Sequence, residues 1–212
     1  IAHEIRNPLT VIKLLFGSLD LQYDSSDPRN KDTQIIKEKI NQLEEIVSRV
    51  LSFGKNREDL YSHCPIDELI NDTLLLVRLK MSQQRIELRH LKLDQPVKIY
   101  GNKGQLQQVF LNLILNASEA MLHGGSLTIT TKIEKVSGNR RLAIYFKDTG
   151  SGIPESIQNR IFDSFLTDKP EGTGLGLSIV KRILRSHRGD VSVAESSEQG
   201  STLRIELPIE GN

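Results

Sequence analysis

Two kinds of apolar spacing follow one another along the chain. Ile5, Leu9, Ile12, Phe16 and Leu19 recur in alternating steps of four and three, and the same steps return at Ile36, Ile40, Leu43, Val47 and Val50. Such steps line apolar side chains along one seam of a helix. The stretch from Asp24 to Asn30 between them is rich in turn-forming residues, so the spacing predicts two helices joined as a hairpin. Leu15 on the first helix and Ile35, Ile46 and Phe53 on the second make the apolar face wider than a two-helix contact would cover. Pairing of two hairpins into a four-helix bundle, as a homodimer, would bury it.

From about Cys64 the texture changes. Pro65 followed by Ile66, Leu69, Ile70 and Leu74 predicts a new helix; Arg85 to Leu91 and Val97 to Tyr100 read as short strands, and Lys103 to Met121 as a strong helix. Strict alternation then appears at Leu127, Ile129, Thr131 and Ile133, at Leu142, Ile144 and Phe146, and at Leu203, Ile205 and Leu207, with Asp190 to Ala194 as a further strand. Alternation on one face means one antiparallel or mixed sheet with helices on one side, a two-layer α/β sandwich. The expected class is therefore α+β, with a helical hairpin over residues 1–56, a charged linker over 57–64 and the sandwich over 65–212.

Composition narrows the function classes. Among 212 residues, 28 Lys and Arg stand against 27 Asp and Glu, a net charge of +1 with no basic excess to suggest nucleic acid. No apolar run approaches the roughly 18 residues of a membrane span, and Val109 to Leu115 is broken by Asn112. No membrane contact is expected of this stretch. A single cysteine, Cys64, cannot form an internal disulfide, which fits a reducing compartment. The chain opens at Ile1 inside a helical pattern and reads as a fragment of something longer.

Four clusters carry candidate chemistry. In DSFLTDKPEGTGLGLSIV, Gly172, Gly174 and Gly176 precede a helix whose apolar positions are Leu177, Val180, Ile183 and Leu184. Glycines let backbone N–H groups approach phosphate oxygens, and a helix amino end favours an anion. The spacing fits neither a P-loop nor the dinucleotide fingerprint. Taken alone, it is equally a glycine-rich turn before a helix. In LNLILNASEAM, Asn112 and Asn116 are four apart and share a helix face; they either cap a neighbouring loop or offer amide oxygens to a hard cation such as Mg²⁺. In DTGSGIP, Asp148 stands at a strand end before Gly150 and Gly152. A carboxylate there can accept from an exocyclic amine such as that of adenine, or simply begin an Asp-Gly turn. In HEIRNPLT, His3 is beside Glu4 and four residues before Asn7. A neutral imidazole next to a carboxylate can act as a nucleophile, while Asn7 before Pro8 also suits a helix start.

Together, in their order along the chain, the clusters resemble the catalytic core of a two-component sensor histidine kinase, over essentially the whole chain. HEIRNPLT resembles the phosphoacceptor box, LNLILNASEAM the N box, DTGSGIP the G1 box, IFDSFLTDK the F box and EGTGLGLSIVK the G2 box. The resemblance implies a Bergerat-type ATP-binding sandwich. It also implies a homodimer through the hairpin, a response regulator receiver domain as partner and a cytoplasmic location, including the cytoplasmic part of a membrane-bound sensor. By the same resemblance His3 would attack the γ-phosphoryl group of ATP with Glu4 as general base, and Asn7 would orient a water that removes phosphate from the regulator. Asn116 would be the principal Mg²⁺ ligand with Asn112 beside it. Asp148 would hold the adenine amine, with Gly150 and Gly152 giving the ring room. Gly172, Thr173, Gly174, Leu175 and Gly176 would border the phosphates, Lys169 in the lid would reach a phosphate oxygen, and Thr202 would assist adenine through water.

Three features depart from the family pattern. The lid reads FLTDK where two aromatics and a second threonine are common, Asn102 stands where an acidic residue is common, and only two residues precede His3. Related ATPases of the superfamily place a glutamate where this chain has Asn112, to activate water. An amide cannot serve as that base, so transfer to protein is favoured over hydrolysis; an ATP-gated dimerising scaffold is the third reading.

Overall fold

The computed structural model of the chain describes residues 12, 15, 16, 19, 21, 23, 27, 29–36, 40, 61–136, 138–163 and 176–209. The chain divides into two compact units, Ile1–Arg57 and Glu58–Asn212.

In the first unit, Ile12, Leu15 and Phe16 are helical, as are residues 29–36 and Ile40. The second helix starts inside the stretch expected as a turn. Asp27 Oδ1 accepts the Arg29 backbone N–H at 2.9 Å, a capping bond that satisfies a free donor at a helix start. The Arg29 guanidinium returns to the same carboxylate at 2.7 Å and lies 4.6 Å from the centre of the Tyr23 ring. Ile12, Leu15, Leu19, Ile35 and Ile36 are 43–63% exposed in the single chain, whereas Ile40 is buried. The rest of the predicted seam, with His3, Glu4 and Asn7, lies outside the described residues.

The second unit runs β1 (Tyr61–Pro65), α1 (Ile66–Gln83), β2 (Ile86–Leu91), β3 (Lys98–Asn102), α2 (Lys103–Ala120), β4 (Gly125–Val136), β5 (Asn139–Asp148), α3 (Glu155–Gln158), α4 (Gly176–Ser186), β6 (Asp190–Ser197) and β7 (Gly200–Pro208). Its main sheet has the strand order β2-β4-β5-β7-β6. β2 and β4 are parallel, which requires a crossover, and α2 lies on that connection. The remaining pairs are antiparallel.

Period-two alternation separates the two faces of this sheet, as the sequence predicts. Leu127 and Ile129 of β4, Leu142, Ile144 and Phe146 of β5, and Leu203, Ile205 and Leu207 of β7 turn to one side. There they form a core with Leu106, Val109, Phe110, Leu113 and Ile114 of α2, Ile70 and Val77 of α1, and Ile179, Val180, Ile183 and Leu184 of α4. The Phe110 and Phe146 rings lie 6.0 Å apart across that layer. The intervening positions build a charged lattice on the other face. Tyr145 donates to Glu134 at 2.5 Å, and Arg204 bridges Glu134 at 2.8 Å and Glu206 at 2.9 Å. Arg141 pairs with Glu206 at 2.9 Å. Two bonds, from Tyr145 first and Arg204 second, hold the Glu134 carboxyl below its usual range.

One boundary needs correction. The sequence predicts a linker over residues 57–64, but Tyr61–Pro65 is a strand, paired antiparallel with β3 so that Cys64 lies opposite Ile99. Both side chains are buried. YSHCP offers no apolar alternation, and its partner strand is remote in sequence, so the pairing leaves no local signal. Val97 to Tyr100 is a strand over Lys98–Asn102, as expected, but it belongs to this small second sheet.

Candidate functional site

Strand alternation delivers Asp148 to the helix-covered side of the sheet, in line with Leu142, Ile144 and Phe146. The carboxylate is 5% exposed, and a buried charge is costly unless donors meet it. Oδ1 accepts the backbone N–H groups of Gly150 at 2.8 Å and Ser201 at 3.2 Å, and Oδ2 accepts the Ser201 hydroxyl at 2.6 Å. A carboxylate has roughly four acceptor sites. Three donors leave Asp148 able to take one more, such as an exocyclic amine.

Two glycines make this corner possible. At Gly150 a Cβ would come 2.7 Å from both the Cβ and the carbonyl oxygen of Ala120, so only a glycine lets the strand end reach the end of α2. The neighbouring Ser151 N–H donates to that Ala120 carbonyl at 3.2 Å. Gly152 has φ +73°, and a Cβ there would stand 1.9 Å from the Ser197 carbonyl oxygen. Ser196 closes the turn, donating from its hydroxyl to the Ile153 carbonyl at 3.2 Å and accepting the Ile153 N–H at 2.7 Å.

The helix α2 joins this corner to the other cluster. Asn112, Asn116 and Ala120 follow at steps of four and form one stripe. Ala120 abuts Gly150, whereas Asn112 donates from Nδ2 to the Gly176 carbonyl at 3.4 Å at the start of α4. A Cβ built on Gly176 would lie 3.8 Å from Asn116 Oδ1, so the second amide also stands beside that helix start. A single stripe thus runs from the carboxylate of Asp148 to the amino end of α4, where the dipole favours anions. Asn112 keeps Oδ1 for another partner because only its N–H can serve the Gly176 carbonyl. Among the described residues no group of three or more His, Cys, Asp or Glu side chains could hold a metal. The amide oxygens of Asn112 and Asn116 are donors of the type Mg²⁺ takes, and that ion would fill its remaining positions with waters or phosphates.

Of the residues singled out in the sequence, the structure brings Asp148, Gly150 and Gly152 together at one pole and Asn112, Asn116 and Gly176 at the other. Lys169, Gly172, Thr173, Gly174 and Leu175 lie outside the described residues. Thr202, to which the resemblance gives an adenine role through water, lies on the face of β7 shared with Arg204 and Glu206, opposite Lys147 of β5. The hydroxyl that reaches Asp148 belongs to Ser201, one residue earlier. Ala120, one step of four after Asn116, carries no chemistry of its own that would mark it in the sequence, yet it is the residue against which Gly150 packs.

Residues 101–211 match the model of the histidine kinase-, DNA gyrase B- and HSP90-like ATPase family, and residues 1–59 that of the His kinase A (phospho-acceptor) domain. The chain is 33% identical to the signal transduction histidine-protein kinase AtoS of Escherichia coli over 99% of its length and 34% of that protein. It is 34% identical to sporulation kinase A of Bacillus subtilis over 98% of its length and 33% of that one. The chain thus spans about a third of these curated relatives. Full-length ShkA in complex with AMPPNP shares its structure at a TM-score of 0.79 and 25% identity, over 100% of this chain and 45% of that one. The complex of histidine kinase ThkA with the response regulator TrrA shares it at 0.71 and 27%, over 99% and 60%. The chain belongs to the sensor histidine kinase family, of which it is a catalytic core with an ATP-binding domain.

Proposed function

We propose that this core transfers the γ-phosphoryl group of ATP to its own His3 and from there to an aspartate of a response regulator. An imidazole nitrogen of His3 attacks the γ-phosphorus, the N–P bond forms as the P–O bond to ADP breaks, and Glu4 takes the imidazole proton. In the second step the regulator's carboxylate oxygen attacks the same phosphorus and His3 leaves. Protein groups contribute positioning and charge stabilisation, as in other phosphoryl transfers. Asp148 and Ser201 orient the adenine, the amides of Asn112 and Asn116 face the phosphate end, and a bound Mg²⁺ would neutralise phosphate charge there. The exposed apolar residues of the first unit supply the surface of a homodimer, and the ThkA–TrrA complex supports a receiver domain as partner.

The observation that carries the kinase reading over hydrolysis is the bond from Asn112 Nδ2 to the Gly176 carbonyl. The residue in the position of a hydrolytic base is an amide committed to a neighbouring helix, and an amide cannot take a proton from water. Incubation of the chain with γ-labelled ATP and Mg²⁺ tests this directly. Label retained on denatured protein, stable to alkali and lost in acid, is expected. Stoichiometric release of inorganic phosphate without labelled protein would favour an ATPase, and neither product would favour a scaffold. A regulator-phosphatase role for Asn7 predicts that Asn7→Ala keeps this label but slows loss of phosphate from the regulator; an unchanged rate rejects that role.

A further inference from the structure

His187 stands where three elements around the nucleotide site meet. It ends α4, and the chain turns there because Arg188 adopts a left-handed conformation with φ 56°. Two return bonds close the helix, from Arg188 N–H to the Arg185 carbonyl at 3.0 Å and from Gly189 N–H to the Leu184 carbonyl at 2.8 Å. The imidazole is buried, and its Nδ1 lies 2.7 Å from the Ile183 carbonyl oxygen. A carbonyl can only accept, so Nδ1 carries the proton. Nε2 lies 3.0 Å from the Asn102 backbone N–H, which can only donate. One neutral tautomer satisfies both partners. Tyr61 of β1 stacks on the ring at 5.0 Å, and the ring packs so closely on β3 that a Cβ at Gly101 would come 2.7 Å from its Cδ2.

Asn102 is also the cap of α2, accepting the Gln105 N–H at 3.0 Å. The helices α2 and α4 are therefore tied at two points, His187 to Asn102 and Gly176 to Asn112. The ties are ten residues apart on α2 and eleven on α4, or about 15 to 17 Å of helical rise each. The two helices run antiparallel with matched spans.

We propose that His187 is a positioning residue for the nucleotide site: by holding the Asn102 amide it fixes the register of α2 against α4, and so sets where Asn112 and Asn116 stand relative to Gly176. This rests on the reading of that cluster as the phosphate and Mg²⁺ end of an ATP site. A second consequence is that β1, through Tyr61, leans on the same ring.

Two variants of the full chain separate positioning from ordinary packing. His187→Asn keeps an N–H near the Ile183 carbonyl but ends short of Asn102, whereas His187→Gln reaches Asn102 and gives up Ile183. Each loses one hydrogen bond, so both melting temperatures should fall by a similar amount. In nucleotide-free protein, the side-chain amide resonances of Asn112 and Asn116 should shift in His187→Asn and stay near wild type in His187→Gln, with faster hydrogen exchange at the Asn102 amide only in the former. With Mg²⁺ and a non-hydrolysable ATP analogue, affinity should fall roughly tenfold in His187→Asn alone. Unmoved Asn112 and Asn116 resonances in His187→Asn overturn the proposal. So do equal losses of affinity in both variants that merely follow the melting temperature. A wild type without Mg²⁺-dependent binding would instead overturn the ATP reading, and the nucleotide-free resonances would still decide whether His187 sets the register.

Discussion

The Ser201 hydroxyl donates to Oδ2 of Asp148 at 2.6 Å, and its backbone N–H meets Oδ1 of the same carboxylate at 3.2 Å. One residue of β7 thereby fixes both oxygens at the end of β5. Hydrogen bonds to charged groups contribute about 1.5–3 kcal/mol, so Ser201→Ala should weaken ATP binding by at least about tenfold. Thr202→Ala, on the opposite face of the strand, should stay within about twofold. Calorimetric titration of both variants with ATP checks the pair; a larger loss from Thr202→Ala would return the adenine contact to that residue.

That choice marks how far the sequence could be read. Asn112, Asn116 and the core positions of β4, β5 and β7 were legible because helical and strand periods are local, and because glycines next to Asp148 imply a close approach. Ser201 and Thr202 are both hydroxyl residues at a strand start, and a shift of one residue reverses the face. Only the register of β7 against β5 distinguishes them. The strand β1 was unreadable for another reason: Cys64 meets Gly101 across 37 positions, and YSHCP carries no apolar alternation of its own. His187 and Asn102 are separated by 85 positions, so the tie between the two helices had no signature in either segment.

Gly152 should tolerate no side chain. Its φ of +73° disfavours a Cβ, and the Ser197 carbonyl oxygen occupies the space a Cβ would need, 1.9 Å away. Left-handed backbone costs a non-glycine residue about 1–2 kcal/mol before any clash. Gly152→Ala should lower the melting temperature by several degrees and weaken adenine binding, since the turn carries Gly150 against Ala120. A melting temperature unchanged from wild type would show that the turn is not held as described.

Stability should depend on pH through two buried imidazoles. Burial holds His187 below the usual 6.5, with the Ile183 bond opposing. His90 is likewise lowered, first by burial and then by Lys92, against the attraction of Asp67 at 3.3 Å. The unfolded chain takes up these protons first as pH falls, so the stabilisation is full above about 6.5 and declines below it. The lowered Glu134 carboxyl adds a second loss as pH falls below about 4.5. Urea midpoints from pH 8 to 5 should fall below neutrality, and His187→Gln should flatten that slope. A midpoint that rises on acidification from pH 7 to 5.5 would contradict the buried neutral rings.

The measurement that bears most directly on the whole account is the position of the phosphoryl group. After incubation with γ-labelled ATP and Mg²⁺, digestion and mass analysis of the wild-type chain should place an acid-labile phosphate on His3. His3→Gln should carry none while binding ATP with unchanged affinity, since the proposed acceptor and the proposed nucleotide site belong to different units. Label persisting on the His3→Gln chain at another residue would contradict the account.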